Sequence, residues 1–194
     1  MGFFDALFGR QKPTQAGPDK IFAMSTAQIT LQTENDLTPT GSAAICFKGI
    51  ESGPFAAIQN ELQQLLQLAS RQDNLTLTPS VDELGYRWFS FGSSDFQALV
   101  TALHMASSTL LDRGYGSQLV FALFPFKSSD GREMYWVYNY KRSAFYPFVP
   151  LRSAKDPARA RDNAAELRLA TALGKEMPIE QDTGFWFAVW NPPL

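Results

Sequence analysis

Apolar residues along this chain follow two spacings, every second residue in some stretches and every third or fourth in others. The first spacing is typical of strands, and the second of helices that bury one face. Read in order, the pattern predicts strand, strand, helix, repeated along the chain. Hairpins linked by helices give an antiparallel or mixed sheet with helices packed against it, so we predict an α+β fold. The predicted strands cover residues 27–33, a stretch ending near 47, and residues 75–79, 86–91, 119–126 and 134–141.

The clearest strand lies in the sequence MYWVYNYKRSAFYPFVP. Its side chains alternate as in a half-buried strand. One face carries Met134, Trp136, Tyr138 and Tyr140. Lys141 and Arg142 come where this strand should leave the sheet. Pro147 and Pro150 lack a backbone donor, so we expect strand pairing to stop there.

The neighbouring segments complete the predicted sheet and its cover. Residues 119–126 are apolar on both faces, which indicates a central strand. Asp130-Gly131 predicts a tight hairpin from that strand to the next one. The aromatic residues 185–190 are apolar on both sides, and we expect them to dock on the body.

Capping residues predict where the later helices begin and end. Ser94 and Gln97 have the spacing of a capping box. Gly114 should end the helix that follows, because glycine tolerates a positive φ. A last helix should cover residues 157–173, with Asp156 as its N-cap.

The N-terminus predicts a short amphipathic segment on a flexible tether. In a helix, one face would carry Phe3, Phe4, Leu7 and Phe8. A helix this short is marginal in water, so it needs a surface on which to fold. Residues 9–18 are polar and rich in glycine and proline, as in a tether. We therefore divide the chain into residues 1–18 and a single globular domain, 19–194. The apolar face either contacts a membrane or a partner, which we favour, or packs back on the body.

Composition and charge exclude several classes of protein. The net charge is −2, from 17 basic and 19 acidic residues, and no Lys/Arg-rich run occurs, so we expect no nucleic-acid partner. Cys46 is the only cysteine, which favours a reducing compartment. The N-terminal apolar stretch is too short for a signal peptide or a membrane span. We expect a cytoplasmic protein, with possible peripheral contact on the inner face of the cell membrane.

Charged residues on the last predicted helix indicate a candidate site. At helical spacing, Asp162 and Glu166 project toward the same side as its apolar residues. Buried carboxylates need partners, and Lys141 and Arg142 are the nearest in sequence. The favoured interpretation is an ion-pair cluster that fixes the helix on the sheet. The alternatives are a pocket for a peptide or small anion, lined also by two tyrosines, Tyr140 and Tyr146, and, least favoured, catalysis by Asp162 and Glu166.

No motif in the sequence indicates a cofactor, a metal or a catalytic residue. His104 is the only histidine, and no ligand-type residue stands at metal-binding spacing from it, so we expect a structural role. The nucleotide-binding and hydrolase fingerprints are missing.

Several segments spread over the chain resemble the PspAB family, proteins encoded beside the phage-shock membrane-stress protein PspA. These are MGFFDALFGR, Gly85-Tyr86-Arg87-Trp88, Tyr140-Lys141-Arg142, Phe145-Tyr146-Pro147-Phe148, Arg161-Asp162-Asn163 with Glu166, and the aromatic C-terminus around Trp186 and Trp190. The resemblance implies a cytoplasmic accessory of envelope-stress responses, sometimes encoded near a membrane-embedded metalloprotease. It implies no catalytic residues or ligand.

Two hypotheses follow for the function. We favour a non-enzymatic adaptor whose body binds a protein partner, PspA or a membrane protease, while its N-terminal face contacts the membrane. The rival is an enzyme or small-ligand-binding domain that uses Lys141, Arg142, Asp162 and Glu166. A closed, fully paired cluster would favour the adaptor, and an open cleft with unpaired charges would favour the rival.

Overall fold

The structure is a computed structural model that describes residues 17–50, 53–73, 75–151 and 160–194. Its helices are α1 (Ala23–Glu34), α2 (Gly53–Asp73), α3 (Phe96–Asp112) and α4 (Asn163–Leu173). Its strands are β1 (Leu37–Pro39), β2 (Ser42–Lys48), β3 (Thr76–Val81), β4 (Tyr86–Gly92), β5 (Leu119–Ser128), β6 (Glu133–Asn139), β7 (Ala144–Phe148), β8 (Pro150–Leu151) and β9 (Ala160–Arg161). Helices packed on an antiparallel sheet confirm the predicted α+β class.

The main sheet is antiparallel and holds seven strands among the described residues. Its path runs β3, β4, β2, β5, β6, β7, and β1 pairs with the end of β5 beyond β2. Strand β5 is therefore central, as its apolar pattern predicted. The predicted hairpin at Asp130-Gly131 joins β5 to β6, and Gly131 has a φ of 87°, a conformation that favours glycine.

Both faces of the sheet are covered by other parts of the chain. On the first face, α1, α2 and α3 pack against side chains that include Phe47 and Trp136. On the second face, Ala170 of α4 and the C-terminal segment (residues 185–194) pack against Val137 and Phe148, while Leu173 at the end of α4 packs with the residues of the first face. The expected docking of the C-terminal aromatic residues is thus confirmed. Strand β6 shows the predicted alternation, with Met134, Trp136 and Tyr138 buried on one face. On the other face only Val137 is buried, under a segment distant in sequence.

The first predicted strand is wrong, because residues 27–33 lie inside α1. Met24, Ala27 and Leu31 are completely buried and stand three and four residues apart, which is helical spacing. β-branched residues such as Ile29 favour strands, but the side chain of Ile29 is 59% exposed. Packing of one apolar stripe therefore outweighs weak local propensity.

Strand pairing also continues past the point where proline was expected to end it. The chain turns at residues 140–143 and returns as β7, in which Pro147 lies opposite Trp136. Strand β7 is at the sheet edge, and the N–H of Phe145 donates away from β6, to the carbonyl of Pro178. Residues two apart in a strand face the same way, so the donor that Pro147 lacks would have pointed outward. The proline therefore breaks no bond of the sheet.

The N-cap of α3 is Asp95 and not Ser94. Its Oδ1 accepts a hydrogen bond from the N–H of Gln97 at 2.8 Å. The helix ends at Asp112, and Gly114 follows with a φ of 83°, which confirms its predicted role as the stop.

Helix α4 begins later than predicted, at Asn163. Residues Ala160–Arg161 are extended as β9 and pair with β8. Asp162 is the N-cap, and its Oδ1 accepts from the N–H of Ala165 at 2.9 Å. The cap predicted at Asp156 lies outside the described residues. Pairing with β8 keeps Ala160 and Arg161 extended, so the helix cannot begin before Asp162. The spacing of residues within the helix does not reveal this pairing, because the partner strand lies about ten residues earlier in the chain.

Replacing Asp95 by alanine should lower the free energy of unfolding by about 1 kcal/mol, because an N–H of the first turn of α3 loses its acceptor. Urea denaturation measures the change. Ser94→Ala is the matched control and should stay within about 0.5 kcal/mol of the parent. A larger loss of unfolding free energy in Ser94→Ala than in Asp95→Ala would show that Ser94 is the N-cap.

Candidate functional site

The predicted site residues gather around β7, but they do not form one cluster. Arg142 lies in the turn between β6 and β7, Tyr146 lies within β7, and Asp162 and Glu166 lie at the start of α4. Lys141 is exposed. The charges separate into two ion pairs, and each involves a residue that the sequence-based prediction did not include.

The first pair joins Arg161 to Glu166. The side chain of Glu166 is 2% exposed, and Nε of Arg161 donates to both of its carboxylate oxygens at 2.9 Å. The N–H of Val149 donates to Oε1 of Glu166, also at 2.9 Å. Nη1 of Arg161 donates to the carbonyl of Trp186 at 2.6 Å, and its guanidinium lies 5.2 Å from the ring centre of Phe148. The pair therefore links α4, the end of β7 and the C-terminal segment.

The second pair joins Arg142 to Glu180. Nε and Nη2 of Arg142 donate to the two carboxylate oxygens of Glu180 at 2.6 Å and 3.1 Å, the forked geometry that suits arginine. The guanidinium also lies 4.2 Å from the ring centre of Phe185. The Arg142 hydrogen bond holds the pKa of Glu180 below its ordinary value of 4.5. The predicted pairing of Arg142 with Asp162 or Glu166 is therefore wrong.

Local hydrogen bonding explains why Glu180 takes this place. The N–H of Glu180 donates to the carbonyl of Phe145 at 2.8 Å, so the chain at this point runs beside the outer edge of β7. Arg142 stands in the turn just before β7, within reach of the same edge. Asp162 cannot replace Glu180 here, because its Oδ1 caps α4.

The tyrosines near the ion pairs are packed into the body. The hydroxyl of Tyr146 donates to the carbonyl of Phe187 at 3.0 Å, and its ring stacks on Trp186 with the centres 6.2 Å apart. Tyr140 is completely buried on the first face of the sheet. Burial raises the pKa of both hydroxyls, so they stay protonated at neutral pH. Neither of them lines an open cleft.

Sequence reasoning from local spacing missed Arg161 as the partner of Glu166, and it missed Glu180 altogether. The sequence pointed to Arg161 only as part of the family-like segment Arg161-Asp162-Asn163, and not as the partner of Glu166. Glu180 lies outside every predicted element, so neither periodicity nor capping chemistry indicates that it is buried. One weak signal was present: Glu180 directly follows Ile179 and stands five residues before the aromatic run that starts at Phe185.

The base of the N-terminal segment lies beside the same turn. The N–H of Gly17 donates to Oγ of Ser143 at 3.2 Å, and the hydroxyl of Tyr138 donates to the carbonyl of Gly17 at 2.5 Å. Pro18 is buried. These last two residues of the predicted tether therefore contact the body. The predicted apolar face of Phe3, Phe4, Leu7 and Phe8 lies outside the described residues.

The lone histidine also belongs to this N-terminal attachment. Nε2 of His104 lies 2.8 Å from Oδ1 of Asp19, and its ring centre lies 4.6 Å from that of Phe22. These contacts join α3 to the turn Pro18–Phe22, as a structural role requires. Among the described residues, no three His, Cys, Asp or Glu side chains gather as metal ligands.

The two buried carboxylates near β7, those of Glu166 and Glu180, each accept hydrogen bonds from an arginine and from a backbone N–H. Both groups therefore hold neighbouring segments of the fold together.

A family model described as PspA associated protein B matches residues 1–194. The chain belongs to the PspAB family. No curated protein and no solved structure matches this family member. None of its described helices is both long enough and apolar enough to cross a membrane.

Removing Arg161 should be strongly destabilising. Arg161→Met leaves the carboxylate of Glu166 buried without its cation, at a cost of about 3–5 kcal/mol in the free energy of unfolding. Adding Glu166→Gln should restore part of this loss, because the amide needs no counter-charge and still accepts from Val149. Chemical denaturation of the single and double variants measures the coupling.

The control cycle combines Arg142→Met with Glu166→Gln. These groups belong to different pairs, so their effects should add within about 0.5 kcal/mol. Additivity in the Arg161 cycle, or strong coupling in the Arg142 cycle, would contradict this assignment of partners.

The Arg142–Glu180 pair should make stability depend on pH in the acid range. Because folding lowers the pKa of Glu180, its contribution is complete above the ordinary value of 4.5 and is lost as pH falls through the folded pKa. The free energy of unfolding should therefore fall more steeply with acid in the parent than in Glu180→Gln or Arg142→Met. Urea denaturation at a series of pH values measures the slope. Arg168→Met, at an exposed position on α4, is the control and should keep the parental slope.

Proposed function

We propose that this PspAB-family protein is a non-enzymatic adaptor of a PspA-type envelope-stress response. The observation that carries the proposal is the closed state of the charge cluster. Glu166 and Glu180 are each bound by an arginine and by a backbone N–H. Groups used in this way hold elements together and are not presented to a substrate, which supports the adaptor over an enzyme built on Arg142, Asp162 and Glu166.

The family's description, PspA associated protein B, supports a protein partner. We propose PspA as the principal partner, with a membrane protease as the alternative. The protein would then work in the cytoplasm, with peripheral contact at the inner face of the cell membrane.

The N-terminal segment would supply that membrane contact. Its apolar side chains Phe3, Phe4, Leu7 and Phe8 precede Arg10 and Lys12, which can meet anionic head groups. Fully burying each such side chain is worth about 1.5–3 kcal/mol, but insertion at an interface is partial. Gly17, which follows this segment, is attached to the body beside Ser143. Binding should be weak, reversible and sensitive to salt.

A co-purification experiment tests the adaptor role. The full chain and a variant lacking residues 2–15 are used to capture PspA from detergent-solubilised native membranes. This deletion keeps Gly17 and Pro18, which contact the body. PspA should be retained by both proteins, because the body holds the partner. Its absence from both captures would overturn the adaptor proposal.

A liposome experiment tests the membrane role separately. Phe4→Ser with Phe8→Ser should abolish sedimentation with anionic liposomes and leave the melting temperature unchanged, because a tail separate from the body adds nothing to its core. Gln11→Ser with Gln15→Ser is the matched control in the same segment and should sediment like the parent. A markedly lower melting temperature, in a protein whose parent never sediments, would place the phenylalanines in the core and remove the membrane role.

A further inference from the structure

A pocket of about 190 Å³ lies between α2 and the paired strands β3 and β4. Its apolar lining comes from Pro79 and Val81, which are exposed, and from the buried rings of Phe47 and Phe89. Asn60, Gln63 and Arg87 give it polar groups. Strand β3 is at the opposite edge of the sheet from β7. The pocket is therefore separate from the two buried ion pairs and from the base of the N-terminal segment.

Arg87 is the charged residue among those that line this pocket. It is half-buried, and within the described part of the chain no carboxylate lies within ion-pair distance of it. Other described arginines do have such a partner, namely Arg113, Arg132, Arg142 and Arg161. A half-buried guanidinium without a counter-charge keeps its full capacity to bind an oxyanion.

The side chain of Arg87 occupies space that is open because residue 49 is a glycine. A Cβ atom at position 49 would lie 2.6 Å from Nε of Arg87, much closer than two such atoms can approach. The arginine therefore lies against the backbone just after β2, with part of its freedom already lost. Such preorganisation reduces the entropy that a ligand must overcome.

We propose that this pocket binds a small carboxylate carried on an apolar group. Arg87 binds the carboxylate through its forked donors, the amides of Asn60 and Gln63 bind at the rim, and the exposed side chains of Pro79 and Val81 contact the apolar body. The pocket is open to solvent, and its volume of about 190 Å³ leaves room for a single ring or a branched chain. The source is either a free organic acid or the terminal carboxylate of a polypeptide, since both present the same chemistry.

The test titrates the full-length, ¹⁵N-labelled protein with phenylacetate and, separately, with the neutral phenylacetamide. Phenylacetate should shift the Nε–H resonance of Arg87 in a saturable way, and phenylacetamide should bind at least tenfold more weakly, because hydrogen bonds to charged groups contribute roughly this factor or more. Equal affinity for the acid and the amide would overturn the proposal, and this comparison needs no variant.

Variants then test the part played by the guanidinium, with binding followed through the amide resonances of the pocket. Arg87→Gln should weaken phenylacetate binding roughly tenfold or more, and Arg87→Lys should weaken it less, because it keeps the charge but loses the fork. Gly49→Ala keeps Arg87 but displaces its side chain, and it should also weaken binding. Arg132→Gln, on the β5–β6 hairpin, is the control and should bind like the parent. Unchanged affinity in Arg87→Gln would overturn the proposal.

A second pair of ligands distinguishes the two sources. A hexapeptide ending in phenylalanine is compared as the free acid and as the C-terminal amide. Tighter binding of the free-acid peptide than of phenylacetate assigns the pocket to a polypeptide terminus, and weaker binding assigns it to a small organic acid. The proposal does not rest on the adaptor role, so its failure would leave that role as it stands.

Discussion

The buried carboxylate of Glu166 is the constraint on which one side of this structure depends. Removing an ionised carboxylate from water costs several kcal/mol unless hydrogen bonds and a counter-charge replace the solvent. Here the N–H of Val149 and the guanidinium of Arg161 replace it, and Arg161 also binds the carbonyl of Trp186. Helix α4, the end of β7 and the C-terminal segment must therefore assemble together.

The same requirement closes the β7 edge of the sheet. An open edge presents unpaired backbone groups that can pair with another chain. Along β7, Phe145 is bridged to the segment around Ile179, Pro147 has no donor to offer, and the N–H of Val149 just beyond it is bound by Glu166. The edge at β3 also carries a proline, Pro79, whose missing donor would have faced outward, away from β4. The body thus limits edge-to-edge association at both ends of its sheet.

These constraints suit a protein that works by contact. The carboxylates of Glu166 and Glu180 are each bound by an arginine and a backbone N–H, so these charges stabilise the fold. Gly17 is attached to the body beside the turn between β6 and β7. At the far edge, no carboxylate among the described residues lies within ion-pair distance of Arg87.

The sequence by itself determined the features that depend on neighbouring residues. The spacing of apolar residues in β5 and α3, the Asp130-Gly131 hairpin and the stop at Gly114 are local, so most elements and the α+β class followed from it. The buried carboxylate at Glu166 also followed, from its place on an apolar helical face.

Tertiary structure alone decided which groups meet. The strand predicted at 27–33 became helix, because burying Met24, Ala27 and Leu31 in one stripe outweighs local propensity. Arg142 paired with Glu180, because the segment after α4 runs along the outer edge of β7, a path that leaves no periodic signal. Strand β6 was covered on its second face by residues far along the chain. Local pattern predicts burial within helices and strands such as α3 and β5. The partners of the buried groups, and the burial of Glu180, depend on which distant segments lie beside them, and only the assembled fold sets those distances.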